Sequence, residues 1–180
     1  IRETIRGEPD AKRPGVAMTL PLTEIMAAAY RLLPPEMSSP EATQLILAIG
    51  WQESRFDHRW QLHGPARGFW QFEGRGGVLG VLEHQQTKAL ALKTLEALRY
   101  PTGSPPYIYQ RIIEDNDILA ACFARLLLWT VPEPLPAVTD VWEGWRQYQV
   151  AWRPGKPRLE TWPAAWAMAP QLLMGEVTHA

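Results

Sequence analysis

The sequence predicts a mainly helical α+β domain, with several helices around one core and a small strand-and-turn region beside a cleft. Three observations carry this. Helix start and stop signals recur along the chain. The stretch from Asp117 to Val131 is apolar almost throughout. Between helical tracts, residues 68–80 mix β-prone aromatics with five glycines. A chain of 180 residues, 46% of them hydrophobic, can bury one full core, so residues 18–180 are read as a single domain.

Residues 1–17 are polar, charged and aperiodic, and are set apart as a linker, a processed end or a cloning remnant. They lack the apolar core of a signal peptide, and no run of about 18 apolar residues offers a membrane span. Leu22 to Leu33 reads as the first helix, capped by Thr23 and ended by Pro34-Pro35. Ser39-Pro40-Glu41 then supplies an N-cap, a proline at the first helical position and an acid in the first turn. From there Ala42, Leu45, Ile46, Ile49 and Glu53 recur on one face. Leu47 and Trp51 make the other side apolar too, so this helix is expected to be buried nearly all round.

After it, Asp57 is read as a cap of the following turn and His63-Gly64-Pro65 as a turn signal. His84 to Arg99 is expected to form an amphipathic surface helix, and Pro101 with Pro105-Pro106 to mark a loop. Asp115, Asn116 and Asp117 look like the cap of the central core helix, inside which Cys122 packs as a small apolar residue. Thr139 to Trp152 reads as a helix opened by Thr139 or Asp140. Its stripe of Trp142, Trp145, Tyr148 and Trp152 is first of all core packing. Arg153, Lys156 and Arg158, set among Pro154, Gly155 and Pro157, read as a solvated turn, and Trp162 to Met174 as a closing helix with Pro163 at its start.

Composition narrows the function classes. A net charge of −1 gives no electrostatic case for nucleic acid or an anionic membrane. The single cysteine excludes an intrachain disulfide. Four scattered histidines without a Cys/His cluster indicate neither a metal nor another cofactor. Nine tryptophans suit a core, but they also supply flat faces that stack on sugar rings.

Glu53 is the residue with chemical promise. A carboxylate that continues an apolar helix face loses hydration, which disfavours its charged form and raises its pKa. A glutamate still protonated near neutrality can act as a general acid. The plain alternative is a helix-terminal Glu paired with Arg55 or Arg59.

The run Glu53-Ser54-Arg55-Phe56, followed by Gly68-Phe69-Trp70-Gln71, resembles the lysozyme-like soluble lytic transglycosylases and goose-type lysozymes. That family carries a Glu-Ser-x-aromatic segment and then a Gly-Leu-Met-Gln turn at about this separation; here Phe69-Trp70 replaces Leu-Met. The likeness covers roughly residues 40–75, and elsewhere only the helical character. It implies a lysozyme-like fold, Glu53 as general acid, and a sugar cleft lined by Ser54, Gly68, Trp70, Gln71 and Phe72. Tyr148 would stand beside the acid, although the family's Tyr-Asn pair is Tyr148-Gln149 here. Glu73 sits where goose-type lysozymes place an aspartate and is the candidate second carboxylate. An inverting pair needs about 6.5–9.5 Å between carboxyl groups to hold a water.

The implied partner is the peptidoglycan glycan strand, cut by a monomeric enzyme between N-acetylmuramic acid and N-acetylglucosamine. The outcome is either hydrolysis, favoured by Glu73, or transglycosylation to a 1,6-anhydro end. The site of action would be the bacterial cell wall, in the periplasm or outside the cell, with a phage or virion as one route of delivery. On the same resemblance, the basic turn at 153–158 could touch the acidic groups of a peptide stem. The rivals are a non-catalytic wall-binding or virion module of the same fold, and a helical interaction protein whose Trp stripe docks a partner.

Overall fold

The computed structural model describes residues 20–61 and 64–175, so the amino-terminal segment lies outside the described residues, as does His63 of the expected turn. The described residues form eight α-helices: α1 (Leu22–Leu32), α2 (Pro40–Ser54), α3 (Leu79–Glu83), α4 (Lys88–Ala97), α5 (Pro106–Asp115), α6 (Asp117–Trp129), α7 (Val141–Trp152) and α8 (Trp162–Met174). No helix among the described residues is long and apolar enough to cross a membrane.

The centre is α6. Every residue from Leu119 to Leu128 is buried, including Cys122, whose thiol burial pushes up to about 12. A helix apolar all round needs neighbours on every side. It has α1, α4 and α5 against it, with α2, α3 and α7 touching it too. Asn116 caps it, its side chain accepting from the Leu119 backbone N–H at 2.9 Å. Arg125 breaks the apolar run at a buried position, where its guanidinium lies 4.8 Å over the Trp129 ring and Nε donates to the Met37 carbonyl.

The α2 helix begins as its sequence dictates, with the Ser39 hydroxyl accepting from the Ala42 N–H at 3.1 Å and Pro40 at the first position. Its residues 45–50 are all buried, and its main partner is α8. The α7 helix is capped by Asp140, which accepts from the Glu143 N–H at 3.0 Å. Its Gly144 admits the Trp166 ring so closely that a Cβ would lie 2.2 Å from it.

Four expectations need correction. The first helix starts at Leu22 without a side-chain cap, because the capping position is Pro21, whose ring offers no acceptor, and Thr23 lies inside the first turn. The expected strand region is a turn held by two isolated bridges, Trp60 with Arg67 and Arg67 with Phe72. Beyond it, residues 74–83 coil as a wide helical turn running into α3, and a Cβ at Gly77 would meet the Phe72 ring at 2.8 Å. The helix expected from His84 begins only at Lys88, since Thr87 turns back to donate to the Val81 carbonyl at 2.7 Å. The loop expected around Pro105-Pro106 instead opens α5. Pro106 occupies the first helical position, where a missing N–H costs nothing, and Tyr109 and Ile113 anchor the helix one turn apart.

Candidate active site

The carboxyl-terminal end of α2 is shaped by a reversal of the chain. Arg55 and Phe56 both take left-handed backbone angles, φ 53° and 58°. The Phe56 ring folds back over Gly50, where a Cβ would come within 2.2 Å of it. Phe56 then meets Phe69 and Trp70 edge-on, each at 5.5 Å between ring centroids. The buried Ser54 hydroxyl donates to the Phe69 carbonyl at 2.7 Å, and the Trp70 indole N–H donates to the Ile46 carbonyl at 2.8 Å. Helix and aromatic turn are therefore fastened together, which fixes Glu53 relative to residues 67–73.

Glu53 faces a cleft of about 1010 Å³. Its Oε1 accepts a 2.6 Å hydrogen bond from the Tyr148 hydroxyl. Tyr148 in turn lies flat on Trp162, 5.3 Å between centroids and 7° between planes, so the phenol is held in place. Burial pushes the Glu53 carboxyl up to about 7. It outweighs the Tyr148 hydrogen bond and the Arg158 positive charge, which both pull down, while Glu73 adds a small upward push. The plain reading of Glu53 as an ion-paired helix end fails. Among the described residues it has no salt bridge, and Arg59 is instead paired with Asp117 beneath the turn.

The resemblance-derived residues divide in two. Glu53, Gln71, Phe72, Glu73 and Tyr148 all line the cleft. Ser54, Gly68 and Trp70 do not. Ser54 is spent on the Phe69 carbonyl, and Trp70 is fully buried, so its ring offers no face to a sugar. Gly68, at φ 73°, shapes the turn: its N–H donates to Arg59 and its carbonyl accepts from Gln71. Phe72 is only 1% exposed and forms cleft floor more than a stacking platform. Asp57 is exposed and lies off the cleft lining.

Three further residues shape the cleft: Gln52, which had no role assigned from sequence, Trp152, read there as core packing, and Arg158, read there as part of a solvated basic turn. Trp152 packs on Phe72 and Tyr148 while its indole N–H donates to the Trp70 carbonyl at 2.9 Å. Gln52 and Arg158 bond reciprocally: Gln52 Nε2 donates to the Arg158 carbonyl at 2.9 Å, and Arg158 Nη2 donates to the Gln52 carbonyl at 3.0 Å. A pair 106 residues apart leaves no local trace in a sequence; only the cationic run 153–158 pointed toward it.

Gln71 is not the solvent-facing amide that a loop position suggests. It is 9% exposed, has φ 50°, and its Nε2 donates to the Gly68 carbonyl at 2.8 Å. Gln71→Ala is therefore expected to lower stability by about 1 kcal/mol as well as activity, from the lost hydrogen bond to the Gly68 carbonyl. Chemical denaturation checks this, and an unchanged midpoint would return Gln71 to a purely substrate-facing role.

No protein-family model matches this chain, and neither curated proteins nor solved structures yield a similar one. A carboxyl group protonated around neutrality, anchored by a tyrosine and open to a large cleft, is equipped to donate a proton to a bound leaving group. Among the described residues no His/Cys/Asp/Glu group has the arrangement of a metal site.

Proposed function

We propose that this chain is a lysozyme-like glycosidase that cleaves the β-1,4 bond between N-acetylmuramic acid and N-acetylglucosamine, with Glu53 as general acid. The observation that supports it is Glu53 itself, desolvated to a pKa of about 7 on the wall of a cleft large enough for several sugar rings. The likeness of residues 53–56 and 68–71 to the muramidase and lytic transglycosylase motifs names the substrate. Clearing of purified peptidoglycan is the test. Binding of the material without clearing would instead support a wall-binding module.

The bond chemistry turns on Glu73. It is exposed on the cleft wall, and in a hydrolase its role would be to hold the attacking water. A second reading, transglycosylation, follows from the same motif likeness, which lytic transglycosylases share. In that reaction the substrate's own 6-hydroxyl attacks and no second acid is required. For a hydrolase, Glu73→Gln is expected to leave binding intact and cut turnover about 100-fold or more, with ordinary reducing ends in the products. Mass spectrometry of the digest decides it: products lighter by one water from the wild type overturn hydrolysis.

A further inference from the structure

The cleft has one wall that carries only positive charge and forms no ion pair among the described residues. Between α7 and the 3-10 turn at Leu159–Thr161, the segment Arg153-Pro154-Gly155-Lys156-Pro157-Arg158 carries three cations and no acid, and every residue of it except Pro157 lines the cleft. Among the described residues, none of the three cations is in a salt bridge. Arg158 is fixed by its reciprocal bonds to Gln52, next to Glu53 in sequence, and Thr161 donates to the Gln52 Oε1 at 3.0 Å. Arg153 closes α7 in a left-handed conformation, its N–H bonded to the Gln149 carbonyl, and Pro154 and Pro157 stiffen the rest of the segment. The segment is thus held against the acid-bearing helix. A flexible basic tail would carry the same charge but would not hold it in register with Glu53.

The other carboxyl, imidazole and guanidinium groups on the cleft lining are Glu53, which feels the charge of Arg158, and His58, Glu73, Arg75, Glu83 and His84. The chain as a whole is close to neutral, so this concentration of positive charge is local. Cations left unpaired in a groove favour an anionic ligand, because they gain from it an attraction that the folded chain does not supply. A plain β-1,4 glycan of N-acetylglucosamine carries no anion to meet them.

We propose that Arg153, Lys156 and Arg158 form a carboxylate-recognition wall that makes this site selective for glycans bearing acidic substituents over neutral glycans with the same linkage. The inference rests on the reading of the cleft as a glycan site and adds what the wall does there. Carboxylates on such a glycan have two sources, the lactyl group of muramic acid and the peptide attached to it.

The experiment uses the full chain with three substrates: intact peptidoglycan, peptidoglycan stripped of its peptides by an amidase so that only lactyl carboxylates remain, and chitohexaose, which is neutral. Two readouts are taken: cleavage rate by the wild type, and co-sedimentation or calorimetric binding by the Glu53→Gln variant. Binding to the intact material is expected to be tighter than to chitohexaose and to weaken steeply with salt. Reversal of the two cations that do not bond to Gln52, Arg153→Glu with Lys156→Glu, is expected to reduce the preference for intact material about tenfold. Preference retained for stripped strands assigns the lactyl group, and preference lost on stripping assigns the peptide; both uphold the wall. Equal, salt-insensitive binding of all three overturns it even if every substrate is cleaved. Selective, salt-sensitive binding without cleavage of any substrate upholds the wall while removing the catalytic reading. Should the charge-reversed variant misfold, the salt dependence of binding by Glu53→Gln still decides.

Discussion

Glu53→Gln is expected to abolish most glycan cleavage, by about 10²–10⁴-fold, while making the folded chain more stable at neutral and alkaline pH. Both effects come from one cause. The folded chain holds the Glu53 proton more tightly than the unfolded chain does, raising the pKa from 4.5 to about 7. A group raised in this way contributes its full stability below 4.5, and that contribution is lost as pH rises through about 7. Above that point the wild type carries a charge in a poorly hydrated site at a cost of about 2–3 kcal/mol, discounted for the cleft water that still reaches it. Glutamine has no proton to lose and can still accept from the Tyr148 hydroxyl. The variant's melting temperature should therefore match the wild type near pH 4 and exceed it by about 5–10 °C at pH 8. Wild-type clearing rates in the variant, or melting curves that run parallel across pH, would remove Glu53 from the acid's role. Wild-type cleavage should correspondingly fall off above about pH 7, as the general acid ionises.

Elements whose signals are local were legible in the sequence. The Ser39 and Asn116 caps, the apolar run of α6 and the proline at the start of α8 are each written within a few residues, and the structure repeats them. So was the desolvation of Glu53, because helical spacing alone places it on the apolar face of α2. What could not be read depends on partners distant in the chain. Trp70 and Phe72 could equally have been cleft or core. Their burial comes from Ile46 and Phe123, which no spacing rule connects to them. The Trp142–Trp152 stripe divides for the same reason: Trp142 is 61% exposed, while Tyr148 is clamped between Glu53 and Trp162. Prolines misled at α5, since the same pair that breaks a helix also starts one. Glycines misled at residues 74–80, where small side chains serve a close-packed helical turn against Phe72 and Leu127 instead of a strand.

Asp117→Ala is expected to cost about 3–5 kcal/mol, the cost of breaking a buried ion pair from one side. Asp117 is the first residue of α6, and its two carboxyl oxygens receive both terminal nitrogens of Arg59, the Nη2 bond measuring 2.7 Å. The two side chains are only 3% and 2% exposed. Removing the carboxylate would leave a guanidinium in the core with the Glu114 carbonyl as its remaining hydrogen-bond acceptor and the Phe69 ring 4.2 Å from its carbon. Water cannot reach it to compensate, so the cost is that of an unpaired buried charge, well above the small value of a surface pair. The consequence extends to the site. The Arg59 carbonyl accepts from the Gly68 N–H at 2.6 Å, so a shifted Arg59 drags the turn that carries Gln71, Phe72 and Glu73. Thermal melting should show a fall of roughly 10 °C. The double replacement Arg59→Met with Asp117→Leu should lose less than the single one, since it buries no lone charge. A drop of only a degree or two in Asp117→Ala, or losses that simply add in the double variant, would show that the pair does not hold the turn to the core.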